Sequence, residues 1–143
     1  MEALRTTMRW RRDLHRIPET DFAEVATAAY VADVLGELGL EVHTGIGGTG
    51  VVGVLRRGDG PRIGLRAELD ALNITEAADV PYASIHPGRM HACGHDGHMA
   101  MVLGAAAHLR ARSDWSGTAY FVFQPDEEHG HGARAMIADG FFD

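Results

Sequence analysis

The spacing of apolar residues along this chain alternates between a helical repeat of three and four and short, nearly continuous apolar runs. The helical repeat predicts four helices, over residues 2–17, 21–38, 95–112 and 132–139. The short runs predict four strands, over residues 41–44, 51–56, 62–68 and 118–123. Two helices, three strands, a helix, a strand and a last helix, in that order, predict an α/β layered domain with helices on both faces of a sheet.

Three local features refine this prediction. Residues 57–61 have the composition of a turn, which predicts a hairpin between the strands on either side. Residues 71–94 lack periodicity and predict a long loop, a feature that is often functional in compact domains. In the second helix, Asp21 is expected to cap the start. The buried stripe of that helix is expected at Phe22, Val25, Ala29, Ala32 and Leu35.

The run from Gly45 to Gly50 has the spacing of a dinucleotide-binding fingerprint. That motif needs a helix directly after its third glycine, so that the helix N-terminus faces the pyrophosphate. A predicted strand follows here instead, so we interpret the glycines as a flexible turn.

Composition excludes several classes of protein. The chain has 143 residues, enough for one domain, and a formal net charge of -7. It therefore lacks the basic face of a nucleic-acid binder, since the cluster around Arg9 to Arg16 fits the solvated face of a helix. Its longest apolar run, residues 99–107, is too short to cross a membrane, and its single cysteine allows no internal disulfide. We expect a soluble cytoplasmic protein without nucleic-acid or membrane partners.

Histidines cluster around the sole cysteine. Four of the 9 histidines lie between residues 86 and 98, and Cys93 lies among them. Thiolate and imidazole are ligands for zinc and similar divalent ions, and Gly94 lets Cys93 and His95 converge. Asp96 or His98 could orient a ligand imidazole. Two alternatives stay open: Cys93 as a covalent nucleophile with a lowered pKa, and Cys93 as an ordinary buried residue.

Acidic residues follow two of the predicted strands. Pro125 interrupts the strand ladder just before Glu127 and Glu128, so both side chains can turn toward one cavity. One carboxylate would coordinate a metal while its neighbour takes a proton from water; the alternative is a solvated acidic turn. Glu68 and Asp70 lie on one side of their strand, and Asp70 could hydrogen-bond a ligand histidine.

Four segments together resemble the M20 metallopeptidase family: residues 14–19, 66–72, 90–98 and 124–128. The resemblance is to the amidohydrolase branch, which includes N-acyl-amino-acid amidohydrolases (aminoacylases), hippurate hydrolases and plant auxin-conjugate hydrolases. It implies that residues 1–143 are the N-terminal portion of a layered α/β/α catalytic domain of zinc-peptidase type. The domain would be incomplete and would lack the family's lid and dimerisation domain.

The resemblance also implies roles for five residues. Cys93, His95 and Glu128 would bind one or two divalent ions (zinc, manganese, cobalt or nickel), Glu127 would be the general base, and Asp70 would support the metal site. The implied reaction is hydrolysis of the amide bond of an N-acyl amino acid, with a homo-oligomer possible. The chain departs from the usual family pattern at four positions, none of them a proposed ligand: Ile17, Glu68, Asn73 and Met99.

The length of the chain is a larger departure from the family pattern than these four positions. The resemblance implies two more ligand histidines and the lid domain beyond position 143. We therefore expect the chain by itself to be weakly active or inactive, because an open site with fewer ligands binds metal less tightly and stays wet. The alternative is a non-catalytic, metal- or partner-binding M20-like fragment.

Overall fold

The computed structural model describes residues 2–142. All eight expected elements are present. They are α1 (Glu2–His15), α2 (Val25–Glu37), β1 (Glu41–Ile46), β2 (Gly50–Arg57), β3 (Arg62–Glu68), α3 (His95–Ala111), β4 (Gly117–Gln124) and α4 (Gly132–Ala138). None of the helices in the described part of the chain combines the length and the apolar character that crossing a membrane requires.

The four strands form one mixed sheet in the order β1-β2-β4-β3. β2 is antiparallel to both β1 and β4, whereas β3 runs parallel to β4. The predicted hairpin between β2 and β3 is therefore wrong, because β4 lies between those two strands. Residues 57–61 instead cross the start of β4, where the Thr118 N–H donates to the Pro61 carbonyl at 2.9 Å. Gly117 (φ 123°) permits this crossing, since a Cβ there would lie 2.3 Å from the Pro61 oxygen.

The glycine run forms the tight turn of the β1–β2 hairpin, as the sequence predicted. Gly47 packs directly against α4, where a Cβ would lie 2.5 Å from the Met136 nitrogen. The Gly47 N–H also donates to Asp139 Oδ2 at 2.7 Å. The glycine run thus allows the hairpin to pack closely against α4.

Helices cover both faces of the sheet, which confirms the expected layered α/β architecture. The larger core lies on the face covered by α1, α2 and α3, and its largest fully buried side chains include Phe121, Phe123, Leu14, Leu35 and Leu103. A smaller cluster on the opposite face packs against α4 and consists of Val52, Val54, Val122 and Met136.

The second helix starts later than the sequence predicted. Asp21 and Phe22 have φ angles of 61° and 60°, so neither belongs to a helix. The Glu19 carboxylate takes the capping role expected of Asp21, accepting the Ala26 and Thr27 N–H groups at 3.2 and 2.8 Å. The buried stripe is shifted as a result: Val25 and Ala29 are exposed, although Leu35 is buried as expected. The buried residues of α2 are Thr27, Val31, Val34 and Leu35.

Residues 71–94 form the expected long loop, held at its base by a bridge between Leu72 and Met90. A buried histidine of α1 ties this loop to the start of α3. His15 Nδ1 lies 2.7 Å from Asp96 Oδ2, and its Nε2 lies 2.9 Å from Glu76 Oε1. Arg11 pairs with the same Asp96 carboxylate at 2.8 Å. These contacts fix the first turn of α3 against α1.

Candidate metal centre

The parallel strands β3 and β4 bring the predicted site residues to one edge of the sheet. Glu68 is paired in register with Gln124, and the Leu69 N–H donates to the Gln124 carbonyl at 2.7 Å. The chain leaves both strands at this edge, so Asp70 follows one strand and the two glutamates follow the other. The long loop delivers Cys93 and the first turn of α3 to the same edge.

Cys93, His95 and Glu128 meet there. One potential ligand atom from each lies within 4.8 Å of the other two, and His95 Nε2 is 3.7 Å from Glu128 Oε1. Gly94, with a left-handed φ of 96°, turns the chain into α3 so that Cys93 precedes the helix and His95 is its first residue. Glu128 Oε1 is buried and has no hydrogen-bond partner among residues 2–142. A buried carboxylate oxygen left without a donor suits a cation.

Asp70 orients the histidine. His95 is buried, and its Nδ1 lies 2.8 Å from the Asp70 carbonyl oxygen and 3.3 Å from Asp70 Oδ1. Nδ1 therefore donates to Asp70, which leaves Nε2 facing the carboxylates. Burial alone would lower the pKa of His95, but the hydrogen bonds and charge of Asp70 outweigh it and raise the pKa to about 9.

The same aspartate holds the glutamate loop. Asp70 Oδ2 accepts the Glu128 N–H at 2.9 Å. Burial raises the pKa of Asp70, but the hydrogen bonds from His95 and from the Glu127 and Glu128 backbone outweigh it and lower the pKa overall. The structure therefore places Asp70 between the histidine and the loop that carries both glutamates.

Glu127 and Glu128 both face His95 although they are neighbours in the chain. Glu127 Oε2 lies 3.7 Å from His95 Nε2, and the Glu127 side chain is 40% exposed. Regular strand geometry ends at Gln124, and Asp126 takes a φ of 41°, so the two glutamates follow in a turn. Water can therefore reach the half-exposed carboxylate of Glu127, whereas the carboxylate of Glu128 is more enclosed.

The environment of Cys93 is anionic. The Glu128 carboxylate beside the thiol, then partial burial, then the charges of Glu127 and Glu68 raise its pKa to about 11. A cysteine nucleophile needs the opposite, a pKa lowered by nearby positive charge. The arrangement therefore disfavours Cys93 as a free nucleophile and favours a bound cation, which would stabilise the thiolate.

Glu68 and His98 also lie in the site, although the sequence had predicted only supporting roles for them. Glu68 Oε2 lies 2.8 Å from His98 Nδ1, and Glu68, His95 and His98 form a second group with ligand atoms within 4.8 Å of one another. Only the sequence spacing could have indicated these two residues: Glu68 ends β3 two residues before Asp70, and His98 lies one turn after His95 on α3.

The remaining histidines of the cluster lie outside these groups. His86 Nδ1 lies 2.8 Å from the Pro18 carbonyl, so its contact is with the backbone of another loop. His91 is buried, and neither of its ring nitrogens has a hydrogen-bond partner in the described part of the chain. Burial lowers the pKa of His91 to about 4, so it is neutral at pH 7.

The chain matches a known peptidase family and is similar to curated hydrolases. Residues 64–143 match the family described as Peptidase family M20/M25/M40. The chain is 48% identical over 134 residues to a hippurate hydrolase of Campylobacter jejuni, covering 93% of this chain and 35% of that protein. It is 44% identical to an N-acetyl-L-cysteine deacetylase of Bacillus subtilis, covering 93% of this chain and 32% of that protein. The chain thus spans about a third of the length of these curated relatives.

A solved structure has the same fold. The YXEP protein of Bacillus subtilis, described as a dinuclear metal binding peptidase from the M20 family, superposes with a TM-score of 0.92 at 40% identity. The match covers 99% of this chain and 40% of that one. The family match over more than half of the chain agrees with this superposition and with the site geometry. The chain belongs to the peptidase family M20/M25/M40.

Proposed function

We propose that this chain carries the metal centre of an amidohydrolase, with Cys93, His95 and Glu128 as ligands. The buried Oε1 of Glu128 is the observation that carries the proposal, because it lacks a hydrogen-bond donor within residues 2–142 and faces His95 Nε2 at 3.7 Å. One thiolate, one imidazole and one carboxylate suit zinc, and manganese, cobalt and nickel are the other candidate ions. The dinuclear relative supports one or two ions.

N-acyl amino acids are the proposed substrates. Two relatives are named for such compounds, since hippurate is an N-acyl amino acid and N-acetyl-L-cysteine is another. The reaction adds water across the amide, breaking the C–N bond to give a carboxylic acid and a free amine. A bound divalent ion supplies Lewis-acid polarisation of the amide carbonyl and of the attacking water.

Glu127 is the proposed general base. Its half-exposed carboxylate lies beside His95 and next to the proposed ligand Glu128, so it can accept a proton from water at Oε2 and pass it to the departing amine nitrogen. Asp70 fixes the His95 ring and the backbone of Glu128, and so acts as a positioning residue. Glu68 and His98 offer further donors beside His95.

Glu127→Gln tests this assignment. The variant keeps the shape of the side chain but cannot take up the proton, so kcat for N-acetyl amino acids should fall about 10²- to 10⁴-fold. The number of bound zinc ions should stay the same, because Glu127 is not a proposed ligand. The measurements are hydrolysis at high protein concentration over long incubations, which register the weak turnover expected of this chain, and elemental analysis of the same preparations.

The exposed Glu37 supplies the matched control, since Glu37→Gln changes the same charge on α2, a helix that carries none of the proposed site residues. Unchanged kcat in Glu127→Gln would exclude Glu127 as the base. Loss of zinc together with activity would make Glu127 a ligand.

A further inference from the structure

A second group of potential ligands lies outside the proposed centre. Asp21, in the loop before α2, meets Asp126 and His129 of the loop between β4 and α4, with ligand atoms within 4.8 Å of one another. The three residues come from segments more than a hundred positions apart in the chain. None of them belongs to either group around His95.

Asp126 is the centre of this group. Its side chain is only 2% exposed, and its backbone has a φ of 41°, which is uncommon for a residue other than glycine. Each carboxylate oxygen faces a different imidazole: Oδ1 is 2.8 Å from His129 Nδ1, and Oδ2 is 3.1 Å from His131 Nδ1. One buried carboxylate thus holds two histidine rings, which stack nearly parallel with 8° between their planes.

Asp21 adds a second carboxylate, with Oδ1 3.4 Å from His129 Nδ1. Four-coordinate zinc with bonds of about 2.0–2.2 Å places neighbouring ligand atoms roughly 3.3 Å apart. His129 Nδ1 lies 3.4 Å from Asp21 Oδ1, close to that spacing. Its 2.8 Å separation from Asp126 Oδ1 is a hydrogen-bond distance, which a bound ion would lengthen. The two carboxylates supply a negative charge that a divalent ion would balance.

We propose that Asp21, Asp126 and His129 bind a divalent ion of zinc type. The ion would join the loop before α2 to the loop that carries Glu127 and Glu128. This site shares no ligand with the centre built on Cys93, and it does not depend on the proposed hydrolytic function.

Zinc binding by a protein disabled at the first centre tests the proposal. The background carries Cys93→Ser and His95→Ala. Zn²⁺ alone is the probe, at about pH 8, where fewer protons compete with zinc for the ligands. Equilibrium dialysis with elemental analysis should still find one zinc per chain. Zinc should also raise the Tm, because it binds the folded state.

Added to this background, His129→Ala and Asp21→Asn should each weaken zinc binding at least about tenfold and abolish the rise in Tm. Both side chains are about half-exposed, so neither change opens a cavity in the core. His108→Ala, at an exposed histidine of α3, is the matched control and should leave the zinc count unchanged. Circular dichroism of each variant establishes that it is folded.

Two results would overturn the proposal. One is that the background protein binds no zinc at a free zinc concentration of about 1 mM, which would detect even a weak site. The other is a folded His129→Ala variant whose zinc affinity equals that of His108→Ala. Neither result depends on whether the unmodified protein hydrolyses N-acyl amino acids. Failure of this proposal is therefore distinguishable from failure of the proposed function.

Discussion

Asp70 contacts both segments that carry the proposed ligands. Its carbonyl oxygen and Oδ1 face His95 Nδ1, and its Oδ2 accepts the Glu128 N–H. A residue that holds a ligand histidine in one tautomer and also anchors a ligand backbone affects metal affinity without touching the metal.

Asp70→Asn should therefore weaken zinc binding about 10- to 100-fold, the usual cost of losing such a supporting partner. The amide keeps the size of the side chain but removes the charge that favours the Nδ1–H form of His95. Competition against a chelating indicator measures the change in Kd. Asp59→Asn, at an exposed position between β2 and β3, is the control, and equal affinity in the two variants would contradict this role.

Glu24 carries a buried charge that the proposed function does not use. Burial raises its pKa, and the hydrogen bonds from the Thr49 hydroxyl at 2.6 Å and the Phe22 N–H at 3.1 Å offset only part of that effect. A raised carboxyl pKa in the folded state stabilises the protein at acid pH. That contribution is lost as pH rises through the folded-state pKa.

Glu24→Gln removes this ionisation while keeping a side chain that can bond to Thr49 and to Phe22. The Tm of the variant relative to the unmodified protein should therefore increase from about pH 4 to pH 7. Thermal melts across this range, with Glu37→Gln as an exposed control, measure the difference. A Tm difference that stays constant or decreases with pH would contradict a raised pKa at Glu24.

At the scale of elements, the sequence predicted every helix and strand but not how the strands pair. Local composition showed that residues 57–61 turn, yet the strand that separates β2 from β3 begins at Gly117, far along the chain. The composition of a turn does not indicate whether a strand from elsewhere in the sequence lies between the two strands that the turn connects. The late start of α2 has a similar cause, because its cap comes from Glu19, outside the apolar pattern.

The loop between β4 and α4 depends on one close backbone approach. A Cβ at Gly132 would lie 1.6 Å from the Pro125 carbonyl oxygen, and the Gly132 N–H bonds to the Asp126 carbonyl at 3.1 Å. Both contacts fold the chain around Glu127 and Glu128. This element therefore tolerates no side chain at Gly132.

Gly132→Ala should lower the free energy of unfolding by about 1–3 kcal/mol or more, because the methyl group forces the backbone apart. It should also weaken metal binding, since the displaced loop carries Glu128. Gly36→Ala in α2 is the matched control: nothing lies within 4 Å of its Cβ position, and alanine should stabilise the helix by about 0.5–1 kcal/mol. Urea denaturation measures both, and equal effects would contradict the close-packing argument.

Across the whole molecule, the site residues that could be predicted are those that lie close together in the sequence. Cys93 and His95 are separated by one residue and Glu127 adjoins Glu128, so the motifs were visible in the sequence. The partners Glu68 and His98 come from different elements, and only the fold places them together. The group around Asp126 was missed for the same reason, since Asp21 reaches it from the opposite end of the chain.

Cys93 is the proposed thiolate ligand of the metal centre, and as the chain's single cysteine it is a specific reporter of metal binding there. Cobalt titration of the metal-depleted protein tests this directly, because cobalt bound by thiolate gives an intense sulfur-to-metal charge-transfer absorption. We predict that this absorption grows to saturation in the unmodified protein, is absent from Cys93→Ser and is retained in His129→Ala. Cobalt binding by the unmodified protein without this absorption, or no cobalt binding at all, would show that Cys93 is not a metal ligand.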